Sequence, residues 1–188
     1  LVSVAVGGWG LMEERIAAGT TNAAALRLVL AHRGAPQESP FSCSGITMRL
    51  LDELGGPLKP IDVFNAVRVR KGTADLAAVY INASHVSDIL LVFAPPLVVS
   101  PGGADTLDIL FDLDASPVRS RFQLQISAAG IDLADATDGR EDIPLTGSFP
   151  IASGLGTVIF PAGSVSFAAA GLFPANMAAG VETGCMRV

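Results

Sequence analysis

"DTLDILFDLDA", Asp105 to Ala115, sets four aspartates into an apolar run. Leu107, Ile109, Phe111 and Leu113 hold the odd positions, and Asp108, Leu110, Asp112 and Asp114 the even ones. Side chains alternate across a strand with period two, so such a run is apolar on one face and acidic on the other. The competing reading is an ion site. Metal ligands more often gather from a turning backbone, whose carbonyls also point inward. Alternate residues on a flat strand face stand about 7 Å apart, too far to share one ion without help from another segment. The stretch therefore reads as one wall of a β-sandwich. Leu107, Ile109 and Phe111 are expected inside, and Asp108 and Asp112 facing water or another chain.

The same alternation recurs outward from this run. "RFQLQISAAG" puts Phe122, Leu124 and Ile126 on one face and Gln123 and Gln125 on the other. "GITMRLLD" sets Ile46, Met48 and Leu50 against Thr47 and Arg49, and "AVRVRKG" sets Val67 and Val69 against Arg68 and Arg70. Val2, Val4 and Val6, then Leu26, Leu28 and Leu30, repeat the pattern. "LAAVYINAS" turns Val79 and Ile81 inward. "DILLVFAPPLVV" is apolar on both faces and reads as central or covered, broken at Pro95 and Pro96 because proline cannot donate to a ladder. Helical periodicity is nearly absent. Residues 59 to 66, with Pro60 early and Ile61 and Phe64 at helical spacing, read as a helical turn or a loop crossing one end. Many short strands with regular turn signals predict an all-β fold: a single antiparallel β-sandwich, immunoglobulin-like or jelly-roll-like.

The chain has 188 residues, half of them hydrophobic, with a formal net charge of −6. That composition builds a core, and an acidic surface repels phosphate backbones, so nucleic acid is not expected as a partner. No apolar run is long enough to read as a membrane-spanning helix. The opening "LVSVAVGG" reads as the start of a mature chain whose leader has been removed.

Catalytic signals are missing. His32 and His85 are the only histidines, and both read as exposed loop residues. "GGWG" and "SGLGT" do not lead from a strand into a helix, so they do not read as phosphate cradles. Trp9 and Tyr80 alone make a poor sugar-stacking platform. The chain is expected not to be an enzyme. The acidic stretch "IDLADATDGRED" is the better ion candidate: Asp132, Asp135, Asp138 and Asp142 crowd around the turn at Asp138-Gly139, offering hard oxygens to calcium. Without an ion it is an acidic surface hairpin. Cys43 and Cys185 match no zinc spacing and fit either one disulfide or two buried thiols.

Three segments carry a resemblance: "FAPPLVVSPGGADTLDILFDLDA", "FQLQISAAGIDLADATDG" and "IPLTGSFPI". With the opening strands "ALRLVLAHRG" and "GITMRLLDELGGPLKPIDVFNAVRV", they make residues 1–150 resemble the bacterial extracellular immunoglobulin-like (cohesin-like) β-sandwich repeats of secreted surface proteins. The resemblance implies a secreted structural or adhesive module without catalysis, and it carries over no binding residues. An extracellular or cell-surface location follows from it, and there Cys43 and Cys185 are expected to be linked.

Residues 151–188 depart from that pattern. Their only charged side chains are Glu182 and Arg187. Such a segment needs cover, because exposed apolar strands aggregate. It is expected to add strands to its own sandwich or to a neighbouring copy, burying residues such as Val158, Phe160, Val165 and Phe167. The resulting expectation is a structural subunit of a filament, sheath or surface layer, whose partners are other copies of itself or related surface proteins. The alternative is an adhesive or cohesin-like binding module, with calcium at the acidic loop.

Overall fold

The computed structural model describes residues 2–141 and 143–160. The described chain is a β-sandwich of two sheets. The strands are β1 (Val4–Gly10), β2 (Arg15–Ala17), β3 (Ala23–His32), β4 (Phe41–Leu51), β5 (Phe64–Lys71), β6 (Ala74–Tyr80), β7 (Asp88–Val99), β8 (Ala104–Leu113), β9 (Arg121–Ile126), β10 (Ile131–Asp135), β11 (Leu145–Thr146), β12 (Ile151–Ala152) and β13 (Gly156–Ile159). The first sheet runs β11-β1-β3-β8-β5-β6. In the second, β4 pairs β7 along one side and β10 and then β9 along the other, and β13 and β2 continue beyond β9. Pairing is antiparallel except at two short margins, β1 with β11 and β13 with β2, where the ladders run parallel. The fold is the expected β-sandwich, with these two short parallel ladders added at its margins.

The inward faces are the alternating apolar sets. Leu107, Ile109 and Phe111 on β8 and Phe122, Leu124 and Ile126 on β9 are closed to solvent. Phe64 and Phe111 from the first sheet meet Phe122 from the second, with ring centroids 5.1, 5.1 and 5.6 Å apart. Two of these three contacts are edge-on, the arrangement the ring quadrupole favours.

Residues 59–66 form only a single 3-10 turn, Pro60–Asp62, before β5 starts at Phe64. Phe64 points into the core rather than along a helix face. β7, read as central or covered, is not central among the described residues: it lies at the margin of its sheet and is laddered there only to β4. The strand runs on through Pro95 and Pro96, which a marginal strand tolerates. The ladder slips there, since Cys43 stands opposite Leu97 while Gly45 stands opposite Val92.

"GGWG" and "SGLGT" turn out to be packing devices. β12 antiparallel to β9 and β13 antiparallel to β9 are joined through Ser153, whose hydroxyl accepts the Leu124 amide at 2.9 Å and donates to the Gly154 carbonyl at 2.8 Å. This segment passes so close to β1 that a Cβ on Gly8 would meet Ile151 at 2.7 Å, and one on Gly10 would meet the Ser153 carbonyl at 2.3 Å. Ile151 and Val158 are buried in the same core. Val158 thus packs in its own subunit, the first of the two alternatives left open for it. Phe160 is half-exposed. Val165 and Phe167 lie outside the described residues.

Candidate functional site

Asp108 and Asp112 of β8 stand on the outer face of the first sheet, while Asp105 is in register with inward Leu30, and each of the three meets a base. Arg27 of β3 donates from Nε and Nη2 to Asp108 at 2.5 and 2.8 Å. Lys71 of β5 lies 2.6 Å from Asp105. Arg68 of β5 grips Asp112 through both terminal nitrogens at 2.7 Å, and the Asn22 amide donates to the same carboxylate at 2.8 Å. Asp112 is held below the usual carboxylate range, first by the Arg68 hydrogen bond, against the opposing effect of burial. Asp114 closes a turn by accepting the Ser116 amide at 2.7 Å. The face is a lattice of cross-strand ion pairs, not an ion site. Asp108 and Asp112 do face outward, but they answer to arginine rather than to bulk water. The signal was present in "AVRVRKG", whose outward Arg68 lands beside β8 once the strands are paired.

The proposed calcium ligands are spread along a strand and its turn. Asp132 lies on β10 and accepts the Ser44 hydroxyl. Asp135 ends β10 and accepts the Thr137 amide at 2.8 Å, the chief cause of its lowered pKa. Asp138 accepts the Arg140 amide at 3.1 Å and pairs with its guanidinium at 3.4 Å. Asp142 lies outside the described residues. Among the described residues no three His, Cys, Asp or Glu side chains converge as metal ligands do.

His32 departs from the sequence reading. It closes β3 with its ring buried, stacked 5.6 Å from Phe41. Nδ1 accepts the Gly34 amide at 3.0 Å, which leaves the proton on Nε2 to donate to the Ser39 carbonyl at 2.8 Å. His85 packs its Nδ1 against Asn82 in the β6–β7 loop. Both histidine rings are thus engaged by backbone groups or by Asn82. Cys43 is buried on the inner side of β4, where desolvation pushes its thiol up to about 12. Its predicted partner, Cys185, lies outside the described residues.

The outer face of the second sheet is different in character. Arg49 of β4 pairs with Asp88 of β7 at 2.8 and 3.2 Å. Beside them lies an open cleft of ≈ 310 Å³ that also takes in Met48, Thr47, Gln125, Ser127 and Pro150. Past that pair, β7 turns Leu90, Val92 and Val98 outward at 55, 60 and 53% exposure. In the ladder they stand opposite Thr47, Gly45 and Ser42, small residues that leave the stripe uncovered. The sequence reading missed this stripe because it took β7 to be central or covered.

No helix among the described residues is long and apolar enough to cross a membrane. No family model matches the chain, and no curated protein does. Among solved structures, the chain is similar to AvmM, described as catalysing macrocyclization in alchivemycin A biosynthesis, at 12% identity over 81% of this chain and 85% of that one, with a TM-score of 0.43. It is also similar to a chain of the CaDoc0917–CaCohA2 complex, a cohesin–dockerin assembly, at 14% identity over 86% of this chain and 100% of that one, with a TM-score of 0.35. A third likeness is to the yeast delta-COP-I mu-homology domain, at 8% identity over 83% of this chain and 54% of that one, with a TM-score of 0.25.

Proposed function

We propose that this chain is a non-catalytic structural module of an extracellular bacterial assembly, joined to neighbouring copies by strand addition. The observation that carries this reading is the long strand β7, which among the described residues is paired on one side only and turns Leu90 and Val92 outward. Ile151 and Val158 lie in the core, and the 28 residues beyond Phe160 hold only Glu182 and Arg187 as charged side chains. A segment so poor in charge is suited to strand addition, where backbone hydrogen bonds supply affinity and alternate apolar side chains fill a groove. Donation from head to tail does not close on itself and makes fibres. The engaged histidines and the ion-paired aspartates support the non-catalytic part of the reading.

The test is a chain ending at Phe160. Cutting at Pro150 instead would remove β12 and β13 and confuse folding with assembly. The shortened chain is expected to keep the melting midpoint of the full chain and to lose polymers in negative-stain images. A shortened chain that still polymerises would sink the reading. A second reading, an adhesive module of a larger secreted protein, is favoured by the open apolar stripe on β7. A full chain that remains a monodisperse monomer would favour it.

A further inference from the structure

Among the described residues six strands have a single ladder partner: β11 and β6 in the first sheet, and β2, β7, β10 and β12 in the second, where β12 has only two residues and β10 carries Asp132 and Asp135. β11 and β2 offer two and three residues. β6 is longer, but it carries Asp75 in an ion pair with Arg70. β7 has twelve residues and no charge after Asp88. Its inward residues Ile89, Leu91 and Phe93 fill the core, while Leu90 and Val92 face out uncovered. A long edge of this kind, without inward charge, is a template for another strand. The slip at Pro95 and Pro96 limits the continuous ladder to Asp88–Val92, opposite Arg49–Gly45.

We propose that this half of β7 is the acceptor for the C-terminal segment of a neighbouring copy, whose residues 161–188 add to the edge and cover Leu90 and Val92. The proposal rests on the strand-addition reading above and names its docking edge. "GSVSF", Gly163 to Phe167, has the alternation the edge asks for, with Val165 and Phe167 two residues apart. Topology argues for a neighbour. β13 runs toward the Arg121 end of β9, which is the Leu51 end of β4 and the Asp88 end of β7. Within one subunit the segment would leave Phe160 at that end and cross β9 and β4, whose outward residues include Gln123, Gln125, Thr47 and Arg49. It would then run parallel to β7. A neighbour's segment reaches the free edge directly and can pair antiparallel, the slightly more stable arrangement.

Full-length Leu90→Lys and Val92→Lys test this, since both side chains already face outward and neither fills the core. Sedimentation velocity across a concentration series is expected to give association at least about tenfold weaker than wild type, with an unchanged melting midpoint. Tyr80→Lys, on the rival edge β6, is expected to associate as wild type does. If Val92→Lys and Leu90→Lys associate normally, or Tyr80→Lys alone blocks association, β7 is not the acceptor. Strand donation itself then still stands, provided the chain ending at Phe160 fails to polymerise. A wild-type chain that stays monomeric at every concentration overturns both.

Discussion

Asp112 is where residue-level chemistry decided the nature of the acidic run. Its carboxylate accepts from Arg68 and from the Asn22 amide in a site where both paired side chains are under a fifth exposed. Asp112→Ala leaves a half-buried guanidinium without its partner and is expected to cost about 1–3 kcal/mol in chemical denaturation. Asp75→Ala, at a more open pair, is expected to cost less than about 1 kcal/mol. Asp112 and Asp88 are both held below the ordinary carboxylate range, chiefly by their arginine hydrogen bonds. The stability they contribute is therefore complete above their unfolded pKa of about 3.9 and is lost as pH falls through their lower folded values. Acid unfolding should set in below about pH 4, and Asp112→Ala should show a shallower acid limb. An acid limb as steep as that of wild type would mean that the pair does not carry this dependence. Alternation alone placed the aspartates outward. Their partners were not legible, because Arg27 and Asp108 lie 81 positions apart and meet only through strand order. His32 was misread for a related reason: the sequence marks it as the end of a strand, not as a ring roofed by the β3–β4 connection.

At the scale of elements, period-two patterning located most of the long strands, and it failed where a strand's place in its sheet mattered. β8 and β9 bury the side chains their alternation selects. Phe122→Ala removes the ring that Phe64 and Phe111 share, and is expected to cost about 3–5 kcal/mol in a denaturant series. A loss under about 1 kcal/mol would mean that the three rings do not form one packed unit. β7 has apolar residues on both faces, and that composition usually signals a covered strand. Here it marks a margin, and the paired prolines were the better clue, since proline is confined to edges and bulges. The short strands β11, β12 and β13 were illegible because two to four residues carry no periodicity. Their places are set by close approach instead. Gly8 and Gly10 leave room for the Ile151–Ser153 passage, and the Ser153 hydroxyl satisfies an amide of β9 that the gap between β12 and β13 would otherwise leave without a partner.

For the molecule as a whole, the open question of where residues 161–188 go is joined to the state of its two cysteines. Cys43 faces the inside of the sandwich and stands opposite Leu97 of β7, past the slip that ends the proposed acceptor half at Val92. Burial holds its thiol protonated, with a pKa of about 12, and the thiolate is the species that attacks a disulfide. Cys43 should therefore resist alkylation in the native chain. It can be linked only if Cys185 is brought to it during folding or assembly. If the segment of one copy settles along β7 of the next, a Cys43–Cys185 bond would join separate copies. Wild-type assemblies should then run as a ladder on a gel without reductant and collapse to one band with it. Mass spectrometry of the unreduced digest should recover the Cys43 and Cys185 peptides joined. A single band without reductant that still contains the joined peptides would place the bond within one chain and draw the segment back to its own sandwich. Two free thiols in protein prepared under oxidising conditions would count against both the linkage and the extracellular reading.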